Sequence, residues 1–147
     1  MKVTLIQFIK TYLLALTSLL LLDAIWLPMT NKHLYRPVIN AVTQRNPKVR
    51  WIGGLVAWKL LALIISVYAI WQTYGVKGAV IGGLLMGLAI YGVFNGTNYA
   101  IFPDWTLKVS LYDTVWGSLL CCFVTLVISY YLNKNNISSI VNETTTR

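Results

Sequence analysis

Charged side chains are scarce in this sequence: they make up 11% of its 147 residues, whereas about 25% is usual in a soluble domain. Hydrophobic residues account for 57% of the chain, above the roughly 45–50% of an ordinary globular protein. A membrane-spanning helix uses about 20 mainly apolar residues, so that four spans use about 80. Too few residues remain to form a separate soluble domain beside such spans.

Acidic residues are the rarer of the two charged classes: 4 Asp and Glu stand against 12 Lys and Arg, for a net charge of +8. In a soluble protein this excess indicates a polyanionic partner such as nucleic acid. No basic stripe interleaved with aromatic residues occurs outside the apolar runs, so we expect no nucleic-acid partner. We assign eleven of the twelve basic residues to loops and ends, where they fix topology and contact the lipid bilayer.

Cysteine and histidine are nearly missing, which removes most chemistry of catalytic and metal sites. The two cysteines are adjacent, Cys121 and Cys122, and His33 is the single histidine. Adjacent cysteines in an apolar run do not form a disulfide scaffold. No catalytic triad, phosphate loop or dinucleotide fingerprint is present either. The sequence therefore predicts no metal site and no cofactor, and it favours a protein without enzymatic activity.

Long apolar runs dominate what is present and predict the fold. The expected class is all-α: a polytopic integral membrane protein with four transmembrane helices in an antiparallel bundle. Residues 1–132 then form a single four-helix transmembrane domain, and residues 133–147 form a polar flexible tail. Between Pro37 and Pro47, the sequence predicts a short interfacial helical turn. The helices are placed at about residues 11–29, 51–72, 78–98 and 109–132.

Small residues recur at an interval of four in the last two predicted helices. In hydrocarbon this spacing lets two backbones approach closely, because apolar burial gives no preference for helix over lipid. We therefore predict that the third helix packs against the fourth, that the third helix is central, and that Cys121 is a small packing residue. The predicted packing residues are Gly78, Gly82, Gly83, Gly87, Gly117 and Cys121.

A few polar residues interrupt the predicted spans at similar depths. Because the helices alternate in direction, the loops after the first and third helices lie on one side of the membrane, which we call the long-loop face. At 1.5 Å per residue, the charged side chains lie roughly 6–12 Å below that face, and two asparagines close the third helix there. This intramembrane polar cluster comprises Asp23, Lys59, Asn95, Asn98 and Asp113.

The polar cluster has three interpretations. An ionised side chain within a span costs about 2.5–3.5 kcal/mol on insertion scales, and such groups usually face the bundle interior or a water-filled cavity. The first interpretation is a functional site, in which one aspartate pairs with Lys59 and the other lacks a cationic partner. The second is an ion-pair network that only stabilises assembly. The third is a set of interfacial anchors that reach headgroup water.

The two aspartates share a local pattern. Asp23 precedes Trp26, and Asp113 precedes Trp116, by three residues each, so that both copies of this D-x-x-W motif present Asp and Trp on one side of a helix. Such an echo is typical of duplicated two-helix halves. The tryptophans near the long-loop face are interpreted as an aromatic belt; they are Trp26, Trp51, Trp105 and Trp116.

The motifs around these residues resemble a family of small bacterial-type predicted membrane proteins that is known only as a domain of unknown function. The most specific segments are LDxxWL at Asp23, TNxA at Thr97 and DxxWG at Asp113. The resemblance implies about four helices in a cytoplasmic-type (cell inner) membrane and no established activity. It also implies an aspartate at the position of Asn95 and no lysine at the position of Lys59, so this chain departs from the pattern at two places.

Three hypotheses for function remain open. The first is a small transport or permeation protein, working as a homo-oligomer, which uses the polar cluster. The second is a structural or accessory membrane subunit with a membrane partner protein on its basic loop. The third is a lipid-acting membrane enzyme whose aspartates act on headgroups. Basic residues number five on one face and six on the other, a balance that leaves the membrane orientation open.

Overall fold

The computed structural model describes residues 4–45, 47–72 and 75–145, with side chains up to residue 135. Its regular elements are all helical: α1 (Leu5–Thr30), a π-helical turn (Asn31–Tyr35), α2 (Arg36–Thr43), α3 (Trp51–Trp71), α4 (Gly75–Ile101) and α5 (Leu107–Thr145). Within this part, four helical stretches are long and apolar enough to cross a membrane: Leu5–Thr43, Trp51–Trp71, Gly75–Ile101 and Leu107–Asn135. The predicted all-α membrane fold is confirmed.

The first helical stretch is longer than the sequence predicts. Thr4 and Gln7 form a capping box, in which the Thr4 hydroxyl accepts from the Gln7 amide and the Gln7 side chain accepts from the Thr4 amide. Such a box supplies partners for backbone donors that the first turn leaves open. After Thr30 the chain stays helical through the π turn and α2, where the sequence predicts a connection with a short helical turn between Pro37 and Pro47.

The π turn lies immediately before a proline. A proline ring conflicts with the carbonyl four residues earlier in a regular α-helix, and Pro37 has His33 at that position. A wider turn around His33 relieves this conflict. Beyond the turn, Leu34 and Val38 are buried against Val109 at the start of α5. The π turn and α2 are therefore held against the bundle.

The main core is formed by α1, α3 and α5. Its fully buried members include Leu19 from α1, Ile65 from α3, and Val124 and Ile128 from α5. Helix α5 contacts α1, α3 and α4, whereas α4 makes nearly all of its contacts with α5. The fourth span is thus the central helix, and the prediction that the third is central is wrong.

Helices α4 and α5 approach through their backbones. A methyl group added at Gly83 would lie 2.6 Å from the Cα of Cys122, and one added at Gly87 would lie 2.5 Å from the Cα of Ser118. Gly117 lies under the ring of Tyr91, and Cys121 is fully buried. Close approach at these positions excludes any side chain larger than hydrogen at the glycines.

Gly78 and Gly82 have a different neighbour. The hydroxyl of Tyr68 on α3 donates to the carbonyl of Gly78 at 2.8 Å, and its ring lies against Gly82. These two glycines therefore face α3 rather than α5. The small residues of the third span therefore lie on two surfaces of the helix, one facing α3 and one facing α5.

The last helix continues beyond the predicted end at residue 132. Helix α5 extends to Thr145, although its span by hydropathy ends at Asn135. Much of the predicted tail is therefore helical, while its residues 146–147 and its side chains from 136 onward lie outside the described part. Its flexibility stays a prediction.

Candidate functional site

Asp23 is buried near the long-loop end of α1 and binds two indole groups. Trp58 Nε1 on α3 donates to Asp23 Oδ2 at 2.7 Å. Trp116 Nε1 on α5 donates to Asp23 Oδ1 at 3.0 Å. Each carboxylate oxygen thus has one donor, and the residue joins three helices.

Asp113 has a similar arrangement on α5, with different donors. The Tyr35 hydroxyl, from the π turn, donates to Asp113 Oδ1 at 2.7 Å. Asn95 Nδ2, from α4, donates to Asp113 Oδ2 at 2.6 Å. Asn95 is 1% exposed, and its amide also donates to the carbonyl of Tyr91 at 3.0 Å. Asp113 therefore connects the π turn, α4 and α5.

The two carboxylates belong to one network, which we call the Asp–Trp network. Trp26 Nε1 donates to the Tyr35 hydroxyl at 3.0 Å, and the Trp26 ring stacks on Trp116 with a centroid distance of 4.3 Å and an interplanar angle of 3°. Each tryptophan is linked by hydrogen bonds to the aspartate of the other D-x-x-W motif. Trp116 contacts Asp23 directly, and Trp26 reaches Asp113 through Tyr35.

The donors in this network are all neutral. Indole, phenol and amide groups supply the four hydrogen bonds to Asp23 and Asp113. Among the described residues, neither carboxylate forms an ion pair. Hydrogen bonds to a charged acceptor are strong, but they leave its charge uncompensated. A pair of carboxylates in a membrane interior is therefore stabilised when it takes up a positive charge.

The predicted polar cluster is only partly brought together. Asp23, Asn95 and Asp113 join the Asp–Trp network. Lys59 is exposed and forms no ion pair with either aspartate, because it occupies the outward side of α3 next to Trp58. Asn98 is partly buried and has no hydrogen bond to the network. The interpretation in which one aspartate pairs with Lys59 is therefore not met: indole, phenol and amide groups donate to the two aspartates instead.

The tryptophans and Tyr35 are the members that the sequence does not identify as hydrogen-bond partners. Trp26 and Trp116 are assigned to an aromatic belt, and Trp58 is not singled out. Buried indole and phenol groups need a partner, and that need is the signal that links them to the few buried acceptors. Trp51, also assigned to the belt, is 67% exposed.

Asp113 is also the carboxylate that borders open space. A groove of about 430 Å³ lies between α3 and α4, and Asp113 is at its polar end with Trp58, Tyr91 and Phe94. Beside it, the side-chain oxygen of Asn95 is buried without a hydrogen-bond partner among the described residues. Asp23 does not line this groove. Access from the groove therefore distinguishes the two aspartates.

In the described part of the chain, no group of three or more His, Cys, Asp and Glu side chains could hold a metal ion. The helices and the Asp–Trp network together define a small four-span integral membrane protein with a buried pair of carboxylates. The profile of the family described as predicted membrane protein (DUF2177) matches residues 8–130, and the chain belongs to this family. The function of the family is unknown, and no curated protein or solved structure matches the chain.

Proposed function

We propose that the protein is a small transport protein of the cell inner membrane, in which Asp113 exchanges protons or cations. One observation supports this proposal above the others. Two buried carboxylates are held only by neutral donors, and one of them borders a groove. A purely structural pair has no need of such access, whereas a carboxylate that binds and releases a positive charge requires it.

The chemistry of the donors assigns different roles to the two aspartates. Indole N–H groups donate and cannot accept, so a proton on Asp23 would remove one of its two hydrogen bonds. A phenol hydroxyl both donates and accepts, so Tyr35 can bind Asp113 in either form. Asp113 is therefore the exchanging group in this proposal, and Asp23 keeps the network in place as a positioning residue.

The proposal includes a homo-oligomer in the lipid bilayer. The groove beside Asp113 lies between α3 and α4 and opens at the side of the bundle. A closed pathway across the membrane then needs a second surface over this opening. A second copy of the chain supplies that surface in the simplest assembly, and cross-linking in native membranes tests it.

Transport is tested in proteoliposomes with a pH-sensitive dye inside and an imposed proton gradient. The wild-type protein is expected to dissipate the gradient, and Asp113→Asn to lose this activity. Asp104→Asn is the matched control, because Asp104 is exposed in the loop before α5, and it is expected to match the wild type. No flux in the wild type, or unchanged flux in Asp113→Asn, contradicts the proposal.

A structural or accessory subunit is the second candidate, and the completeness of the Asp–Trp network favours it. All four carboxylate oxygens have donors, and the Trp26–Trp116 stack adds a ring contact. In that role the wild type shows no flux, and a membrane partner protein co-purifies in mild detergent. Headgroup turnover that is lost in Asp23→Asn and Asp113→Asn would instead support the lipid-acting enzyme.

A further inference from the structure

The groove beside Asp113 adjoins a second groove, with which it shares one lining residue. A second, larger groove of about 1110 Å³ also lies between α3 and α4, and Ile64 lines both. Helices α3 and α4 make few contacts with each other, and the side chain of Tyr68 crosses the space between them at Gly78 and Gly82. From Phe94 at one end to Lys77 at the other, α4 spans about 25 Å at 1.5 Å per residue.

The walls of the larger groove are apolar. Side chains from α3 and α4 face each other across it, and the bond from Tyr68 to the Gly78 carbonyl bridges the two helices. Apolar walls of this kind gain dispersion contacts from an apolar chain that lies between them. The lining side chains include Leu63, Val67, Ile81, Leu85 and Met86.

The two adjoining grooves form one combined groove, whose two ends carry opposite charges. The surroundings of each charge decide which end binds the charged group of a ligand more strongly. Asp113 is 9% exposed and has no cationic partner among the described residues. Lys77 is exposed at the third position of α4, where headgroups and water screen it. Coulomb attraction is several times stronger in the interior than near water. A cation therefore gains more binding free energy at Asp113 than an anion gains at Lys77.

The aromatic side chains near Asp113 favour the same charge. Trp58, Tyr91 and Phe94 line the groove at this end. Aromatic faces attract organic cations, most strongly where water is excluded. A carboxylate beside three aromatic residues matches a bulky ammonium or phosphonium group better than a small hydrated metal ion.

We propose that the α3–α4 groove binds an amphiphilic organic cation, with its charged head beside Asp113 and its apolar chain along Ile64 toward Lys77. This inference rests on the proposed function, because it makes the organic cation a solute that competes with the proton for Asp113. Charge is conserved in the exchange: the cation leaves as the proton binds.

Binding is measured by scintillation proximity with tritiated decyltriphenylphosphonium on the full chain in nanodiscs, with empty nanodiscs subtracted. Asp113→Asn is expected to weaken binding at least tenfold, and Asp104→Asn to leave it unchanged. Equal binding by wild type and Asp113→Asn overturns the inference.

The apolar part of the groove is tested with a matched pair on α4. Leu85 lines the groove, whereas Leu88 does not, and they are 58% and 52% exposed. Leu85→Trp is expected to weaken binding of the decyl probe about tenfold and that of methyltriphenylphosphonium much less, while Leu88→Trp leaves both unchanged. Equal effects of the two tryptophans, or no dependence on chain length, overturn the proposed placement of the chain.

Two other occupants have their own signatures in the same experiments. The first alternative is an anionic lipid bound at Lys77. It is indicated if Lys77→Gln releases an anionic lipid that co-purifies with the wild type while Asp113→Asn still binds the probe, and this result overturns the inference. A second copy is indicated, and the inference likewise overturned, if Leu85→Trp changes the oligomeric state and the probe does not bind. Probe binding without flux contradicts the transport proposal alone, and proton flux without probe binding contradicts the groove inference alone.

Discussion

The two sides of α4 differ in how they meet the rest of the bundle. Toward α5, Gly83 and Gly87 bring backbone against backbone. Toward α3, Ile81 and Leu85 border an open groove. Since lipid chains are as apolar as leucine, helices stay together in a membrane only where their shapes fit closely. Helix α4 therefore has a close helix contact on one side and an open groove on the other.

The largest loss of stability is expected on the side of α4 that packs against α5, for the variant Gly87→Leu. The added side chain would meet the backbone of Gly117 and Ser118, which cannot move aside as a flexible side chain can. Overpacking of this kind costs about 3 kcal/mol. Thermal unfolding of the purified protein measures it, with Gly96→Leu as the control, because no atom lies within 4 Å of a methyl group at Gly96. Equal stability of the two variants would show that α4 and α5 do not meet here.

The second largest loss of stability is expected in the Asp–Trp network, for the variant Trp116→Phe. This change removes the donor to Asp23 Oδ1 and reduces the stack on Trp26. Leaving a buried charged acceptor short of a partner costs about 2 kcal/mol. Trp71→Phe is the matched control, since Trp71 is 80% exposed. If both variants unfold at the same temperature, Trp116 does not stabilise Asp23.

A smaller loss is expected for Tyr35→Phe. The hydroxyl joins Trp26 to Asp113 through two hydrogen bonds. Its removal costs about 1 kcal/mol of stability, less than the change at Asp23, because Asp113 borders the groove, from which water can supply a replacement hydrogen bond. Proton flux should fall as well, because Asp113 loses the partner that accommodates both of its forms. Tyr99→Phe, at a position 52% exposed, is expected to change neither quantity. Full flux in Tyr35→Phe would limit Tyr35 to a structural role.

The smallest change in stability is expected on the side of α4 that borders the groove, for the variant Leu85→Trp. The groove has room for the larger ring, so the free energy of unfolding should change by less than about 0.5 kcal/mol. A loss comparable to that of Gly87→Leu would mean that α3 and α4 are closely packed, and it would remove the contrast between the two sides of α4.

The sequence predicts the number of spans and part of their packing. Apolar runs of sufficient length require helices in a membrane, and the confirmed class follows from that alone. Gly83 and Gly87 are recognised by their spacing, but spacing does not reveal which neighbour they face. Gly78 and Gly82, at the same interval, face α3. Which helix is central depends on three-dimensional contacts, and so the fourth span was not identified as such.

For the site, the sequence predicts which residues are costly to bury but not how they are satisfied. Asp23 and Asp113 stand out because carboxylates are rare within spans. Charge alone favours Lys59 as their partner, yet the helical rotation of α3 turns Trp58 inward and leaves Lys59 exposed. The exchange of partners between the two D-x-x-W motifs likewise depends on how α1 and α5 pack.

The central claim, that Asp113 rather than Asp23 takes up the exchangeable proton, is tested most directly by infrared difference spectroscopy on acidification of the reconstituted protein. The account predicts a carboxylic acid C=O band that is missing in Asp113→Asn and retained in Asp23→Asn and Asp104→Asn. A band that persists in Asp113→Asn and disappears in Asp23→Asn would contradict it.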